Sequence, residues 1–112
     1  MKVLGINGSP RLGGNIDLLL DKVLEGAKTK GAETEKIVLN KLKFSPCQEC
    51  GNMADDGLCL VKDDMQAVYE KIKGSDAIIF ASPVFFGSLS AQSKMMIDRF
   101  QCAWRAKYVL KK

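Results

Sequence analysis

Residues 3–15, VLGINGSPRLGGN, run from an apolar strand-like segment into glycine, serine, proline and arginine, and then directly into a helical pattern. A chain that leaves a strand and starts a helix this quickly presents unpaired backbone N–H groups at the positive end of a helix dipole, which suits an anion. Gly8, Gly13 and Gly14 allow close backbone approach, while Ser9, Arg11 and Asn15 can add side-chain donors. The same residues also read as an ordinary turn, with Arg11 in solvent and Asn15 as the helix N-cap. Spacing excludes the familiar phosphate loops. A Walker loop opening at Gly8 requires lysine after Gly13 and meets Gly14, and a dinucleotide fingerprint needs a single residue where Asn7 and Ile6 separate Gly5 from Gly8. What remains is a loop for one phosphate.

Outward from that turn, residues 2–6 (KVLGI) read as a buried strand. From Asn15, the residues Ile16, Leu19, Leu20, Val23, Leu24 and Ala27 recur at helical spacing, with Gly31 as the C-terminal stop. EKIVLN, residues 35–40, is a second strand. Residues 41–62 have no clear period and read as a long loop, usually a functional or disordered feature in a compact domain. Asp63 or Asp64 caps a second helix carrying Met65, Val68, Tyr69 and Ile72 and closed by Gly74. DAIIFA, residues 76–81, is a third strand, apolar on both faces as in a parallel sheet. SPVFFGS, residues 82–88, is a turn, and a third helix runs from about Ser90 through Met96, Phe100 and Ala103.

Strands alternating with helices on crossovers of this length mean parallel pairing and an α/β layered fold. In such sheets ligands sit beyond the carboxyl ends of strands where the strand order reverses. In flavodoxin-like order, 2-1-3 for the strands present, that place lies between the first and third strands. The two unusual turns follow those two strands. Phe85 and Phe86, flanked by Pro83 and Gly87, suit the edge of a flat aromatic ring; taken alone, the turn also reads as packing for the last helix.

At 112 residues the chain is read as one domain, with 46% hydrophobic and 27% charged residues. Its net charge of +4 is spread along the sequence, so no nucleic-acid patch stands out. No apolar run approaches the ~20 residues that span a bilayer, and a cytoplasmic location is expected. Histidine is absent, which removes the usual general base and the commonest zinc ligand.

GSPR followed by GN, then C-x2-C with a later G-x-C and DDM, then SPV-x-FG and a downstream K-x3-DR, resemble the NAD(P)H-dependent FMN reductase family, and more narrowly its iron–sulfur flavoprotein branch. The resemblance covers Lys2 to about Leu110. It implies a flavodoxin-like fold, bound FMN, NAD(P)H as substrate, and oligomers with the flavin near a subunit interface. Carried over by position, it places Ser9, Arg11, Gly14, Asn15 and Ile16 at the FMN phosphate. Pro83, Val84, Phe85, Phe86 and Gly87 fall along the isoalloxazine ring and ribityl chain. Family members usually have Thr or Ser where Ile16 stands, so one phosphate hydroxyl is missing; Phe85 stands where Tyr is frequent. With flavin carrying the chemistry, no catalytic side chain is assigned.

Cys47, Cys50 and Cys59 lie in CQECGNMADDGLC. The iron–sulfur branch resembles this segment with a further cysteine at the position of Met53, completing four thiolates. A [4Fe-4S] cluster here would need an outside fourth ligand, and a zinc site with three cysteines would need an acidic or foreign one. The favoured reading is a loop of free or redox-active thiols that has lost its cluster, with Cys47–Cys50 able to oxidise to a disulfide.

Proteins resembling this one continue for two further β-α units. The expectation is therefore a truncated domain, with the third-strand edge covered by a homo-oligomer or a partner chain. The expected activity is an FMN-dependent oxidoreductase that passes electrons from NAD(P)H to a small acceptor or partner protein. The alternatives are a non-enzymatic flavin or iron–sulfur electron carrier and a cofactor-free interaction subunit.

Overall fold

The computed structural model describes residues 1–48, 59 and 61–105. Strand β1 spans Lys2–Asn7, helix α1 Asn15–Thr29, strand β2 Glu33–Val38, helix α2 Met65–Lys73, strand β3 Ala77–Ala81, and helices α3 and α4 Ala91–Asp98 and Gln101–Arg105. They form a parallel sheet in the order β2-β1-β3. The central strand reads Val-Leu-Gly-Ile because helices cover both of its faces.

Alternation along the strands sorts the core into layers. Leu4 and Ile6 point to the side of α2 and α3, in a cluster with Ile37, Met65, Val68, Tyr69 and Met96. Val3 points to the opposite side and packs on Leu20 and Leu24 of α1. The helical stripe that α1 buries is Asp17, Leu20 and Leu24, whereas Leu19 and Val23, expected to face the sheet, are exposed. On β3, Ile79 packs towards α1. Ile78 and Phe80 stand on the other face, 47% and 36% exposed. The expectation of a strand buried on both faces fails there because α2 and α3 cover the sheet only as far as β1.

Three boundaries differ from the sequence reading. The second strand ends at Val38, and Leu39–Lys41 turn as a short 3-10 segment. Gly14, not Asn15, is the N-cap of α1. The third helix is interrupted at Arg99–Phe100, where the Tyr69 hydroxyl donates to the Arg99 carbonyl at 2.6 Å and occupies an acceptor of the helical ladder.

Candidate functional site

The loops after β1 and β3 meet at the carboxyl end of the sheet and enclose a cleft of about 400 Å3. Its walls are Ser9, Pro10, Arg11, Gly14, Asn15 and Ile16 on one side, and Pro83, Val84 and Phe85 on the other. Phe86 and Gly87 stand in the adjoining turn and do not line it.

Hydrogen bonds fix the first loop in detail. The buried Asn7 accepts from the Ser9 N–H through Oδ1 at 2.8 Å and donates through Nδ2 to Asp17 Oδ1 at 3.0 Å. Asp17 Oδ2 accepts from the Gly13 N–H at 2.8 Å, tying the first turn of α1 back onto the loop. The Ser9 hydroxyl accepts from the Arg11 N–H at 3.1 Å. Gly13 has φ +72°, a conformation that favours glycine. The N–H groups of Ser9, Arg11 and Gly13 are thus spent on shaping the loop. Those of the first α1 turn, at Asn15 and Ile16, have no intrahelical acceptor. An anion placed in the cleft would meet these and the side chains of Arg11 and Asn15. The Ser9 hydroxyl, which donates to the Arg11 carbonyl at 3.4 Å, would join them on turning its proton away from that bond. Ile16 can contribute its backbone N–H even though its side chain cannot donate.

The second loop is held against the first. Gly8 N–H donates to the Ala81 carbonyl at 2.8 Å, and Ser90, the N-cap of α3, donates through Oγ to the Gly8 carbonyl at 2.6 Å. Ser90 Oγ also accepts from the Ser93 N–H at 3.2 Å, and Ser82 Oγ accepts from the Ser90 N–H at 3.1 Å. Gly8 has no room for a side chain: a Cβ there would lie 2.0 Å from Ser93 Oγ. Phe85 and Ser88 exchange both backbone hydrogen bonds, and the residues between them, Phe86 and Gly87, have φ 49° and 77°. Positive φ at both central positions is the geometry of a type I′ hairpin turn. Phe86 is fully exposed in it.

Lys36 on β2 donates to Asp17 at 2.8 Å and to Asp21 at 2.7 Å. The Lys36 ammonium and then the Gly13 N–H hold the Asp17 carboxyl below its ordinary range, against the opposing effect of burial. The same partners, Asp17 first and Asp21 next, push the Lys36 ammonium above its own. Asn7, Pro10, Asp17 and Lys36 were missed from sequence. Asp17 carried a readable signal, an acid at the third helical position able to reach back to the loop, as in a capping box. Lys36 carried none, since a charge in a strand ordinarily faces solvent.

Cys47 is exposed and Cys59 half-buried, while Cys50 and Met53 lie outside the described residues. No group of three metal-ligating side chains lies together among the described residues. Cys102 is buried beside Tyr69, its thiol 3.8 Å from the hydroxyl. What the structure does show is a clasp. The buried Arg99 donates to Asp63 at 2.6 and 3.0 Å, to the Ser45 carbonyl at 2.9 Å, to the Val61 carbonyl at 3.3 Å and to Cys59 Sγ at 3.8 Å. Both ends of the cysteine segment are thereby tied to the end of α3. Burial pushes the Asp63 carboxyl up, but the Arg99 hydrogen bond and the Ser45 and Met65 N–H groups together hold it below its ordinary value.

A parallel sheet with helices on both faces, and a cleft at the carboxyl ends of its first and third strands, is the flavodoxin-like arrangement. The chain belongs to the family described as NADPH-dependent FMN reductase, whose family model matches residues 1–111. It is 40% identical over 111 residues to an iron–sulfur flavoprotein of Methanosarcina thermophila, covering 99% of this chain and 58% of that protein. An iron–sulfur flavoprotein of Methanocaldococcus jannaschii is 44% identical over 99 residues, 88% of this chain and 51% of the relative. Among solved structures, a flavone reductase superposes with TM-score 0.71 at 31% identity, over 89% of this chain and 30% of the other. The chain spans about half the length of the curated relatives it matches. Among the described residues, no helix is long and apolar enough to cross a membrane.

Proposed function

We propose that the chain carries the phosphate-binding half of an FMN site, and that the protein oxidises NAD(P)H through the flavin and passes electrons to a small acceptor or a partner protein. The observation behind this reading is the cleft itself, which joins a helix N-terminus with side-chain donors on one wall to an apolar Pro83–Phe85 wall on the other. A phosphoester joined to a flat aromatic ring has the chemistry of both walls. Ser9, Arg11, Asn15 and the N–H groups of the first α1 turn hold the phosphate. Pro83, Val84 and Phe85 exclude water along the ring, and Phe86 with Gly87 extends that wall. When bound, FMN supplies hydride acceptance and onward electron transfer, so the chain needs no histidine or other general base.

An anaerobic visible spectrum tests the reading. The protein incubated with FMN and desalted should retain resolved flavin bands, and NADH or NADPH should bleach them. Retention without bleaching would support an electron carrier in place of an oxidoreductase. A protein that retains no flavin sinks the proposal.

A further inference from the structure

A carboxylate in the first turn of a helix draws on the same positive potential that an anionic ligand needs. Asp17 is such a residue, 6% exposed, and its bonds to Asn7 and the Gly13 N–H shape the loop that forms one wall of the cleft. Left uncompensated, it would repel the ligand it helps to seat. The ammonium of Lys36 reaches Asp17 from the neighbouring strand, on the α1 side of the sheet and outside the cleft lining.

We propose that Lys36 is a positioning residue for the flavin phosphate: it neutralises the loop-shaping carboxylate of Asp17, so that the N-terminus of α1 keeps its attraction for a phosphoester. This rests on the FMN reading above and goes beyond it, because it assigns the preference for FMN over riboflavin partly to a residue that does not line the cleft. Asp21 shares the same ammonium at 2.7 Å, so the three groups together carry one net negative charge with Lys36 and two without it, and the exposed Arg11 supplies the cleft's own cation.

The test is fluorescence titration of the full chain with FMN and with riboflavin, which differ only in the phosphate. Lys36→Met should weaken FMN by ~5- to 10-fold, the scale of one charge at a helix terminus, and leave riboflavin within twofold. Lys36→Gln keeps a donor for Asp17 without the charge and should behave alike, which guards against a Met variant that fails to fold. Lys36→Arg should retain the wild-type preference. Adding Asp21→Asn to Lys36→Met returns the cluster to its wild-type net charge without touching the Asp17 bonds that shape the loop, and should restore part of the lost FMN affinity.

Equal weakening of both flavins would make Lys36 a structural residue and overturn the proposal. Failure of the double variant to recover would also overturn it, by pointing to Lys36 as a direct phosphate contact. A wild-type chain that binds neither flavin overturns the FMN reading and this role with it. A wild-type chain that binds FMN, with variants of unchanged preference, overturns this role alone.

Discussion

Gly8 and Phe86 show how single backbone positions set the cleft. Gly8 closes the gap between β1 and α3, and a methyl group there would sit 2.0 Å from Ser93 Oγ. Gly8→Ala should therefore cost about 2 kcal/mol in urea unfolding, the scale of an overpacked core. Adding Ser93→Ala should return part of it by removing the clashing oxygen; an unchanged midpoint for Gly8→Ala would sink this account. Phe86 is the opposite case, an exposed ring on a residue at φ 49°, where a side chain costs roughly 1 kcal/mol. A type I′ turn prefers asparagine before glycine. Phe86→Asn should raise stability by about 1 kcal/mol in thermal melts, because the strain disappears. The same change should weaken FMN several-fold, because strained residues persist where function needs them. A variant that is more stable and binds FMN equally well would remove Phe86 from the site.

Helix α3 joins the cleft to the cysteine segment. Its N-cap Ser90 holds the Gly8 carbonyl beside the cleft, and Arg99 at its other end clasps both ends of the cysteine segment. Arg99 side-chain exposure is 1% and that of Asp63 is 14%, so removing one partner strands a poorly solvated charge. Arg99→Met should cost about 3 kcal/mol, and Asp63→Asn added to it should recover part of the loss; calorimetry of the three variants checks this. The carboxyls of Asp17 and Asp63 both lie below their ordinary value of 3.8 in the folded chain. Their contribution to stability is thus complete above that value and lost as pH falls through their lower folded pKa values. Urea midpoints should fall on acidification below about pH 4, and Asp63→Asn should flatten part of that fall. The strands and the two cleft-forming turns were legible in the sequence, because apolar patterning and turn chemistry are local, whereas the order β2-β1-β3 was expected only from the resemblance to flavodoxin-like proteins. Lys36, Arg99 and the exposed outer face of α1 were not, because each depends on which element of distant sequence packs opposite.

Taken as a whole, the sheet buries its central strand far better than its β3 side. Ile6 pairs in register with Ile37 on one side and Phe80 on the other; the first two are 1% and 6% exposed, and Phe80 is 36% exposed. Ile78 beside Leu4 shows the same drop, from 0% to 47%. No strand among the described residues pairs with the outer edge of β3, which leaves N–H and C=O groups next to an apolar surface. Such an edge is a surface on which strands or helices of another molecule can pair and pack. The chain of 112 residues should therefore associate through β3, with a mass in light scattering that rises with concentration. Phe80→Lys places a charge on the face to be covered and should shift the chain to monomer, as inward-pointing lysines do on natural edge strands. Leu19→Lys, on the opposite side of the sheet, should leave the association unchanged. A wild-type chain that stays monomeric at every concentration, or an equal response to both lysines, would show that β3 is not the surface that associates.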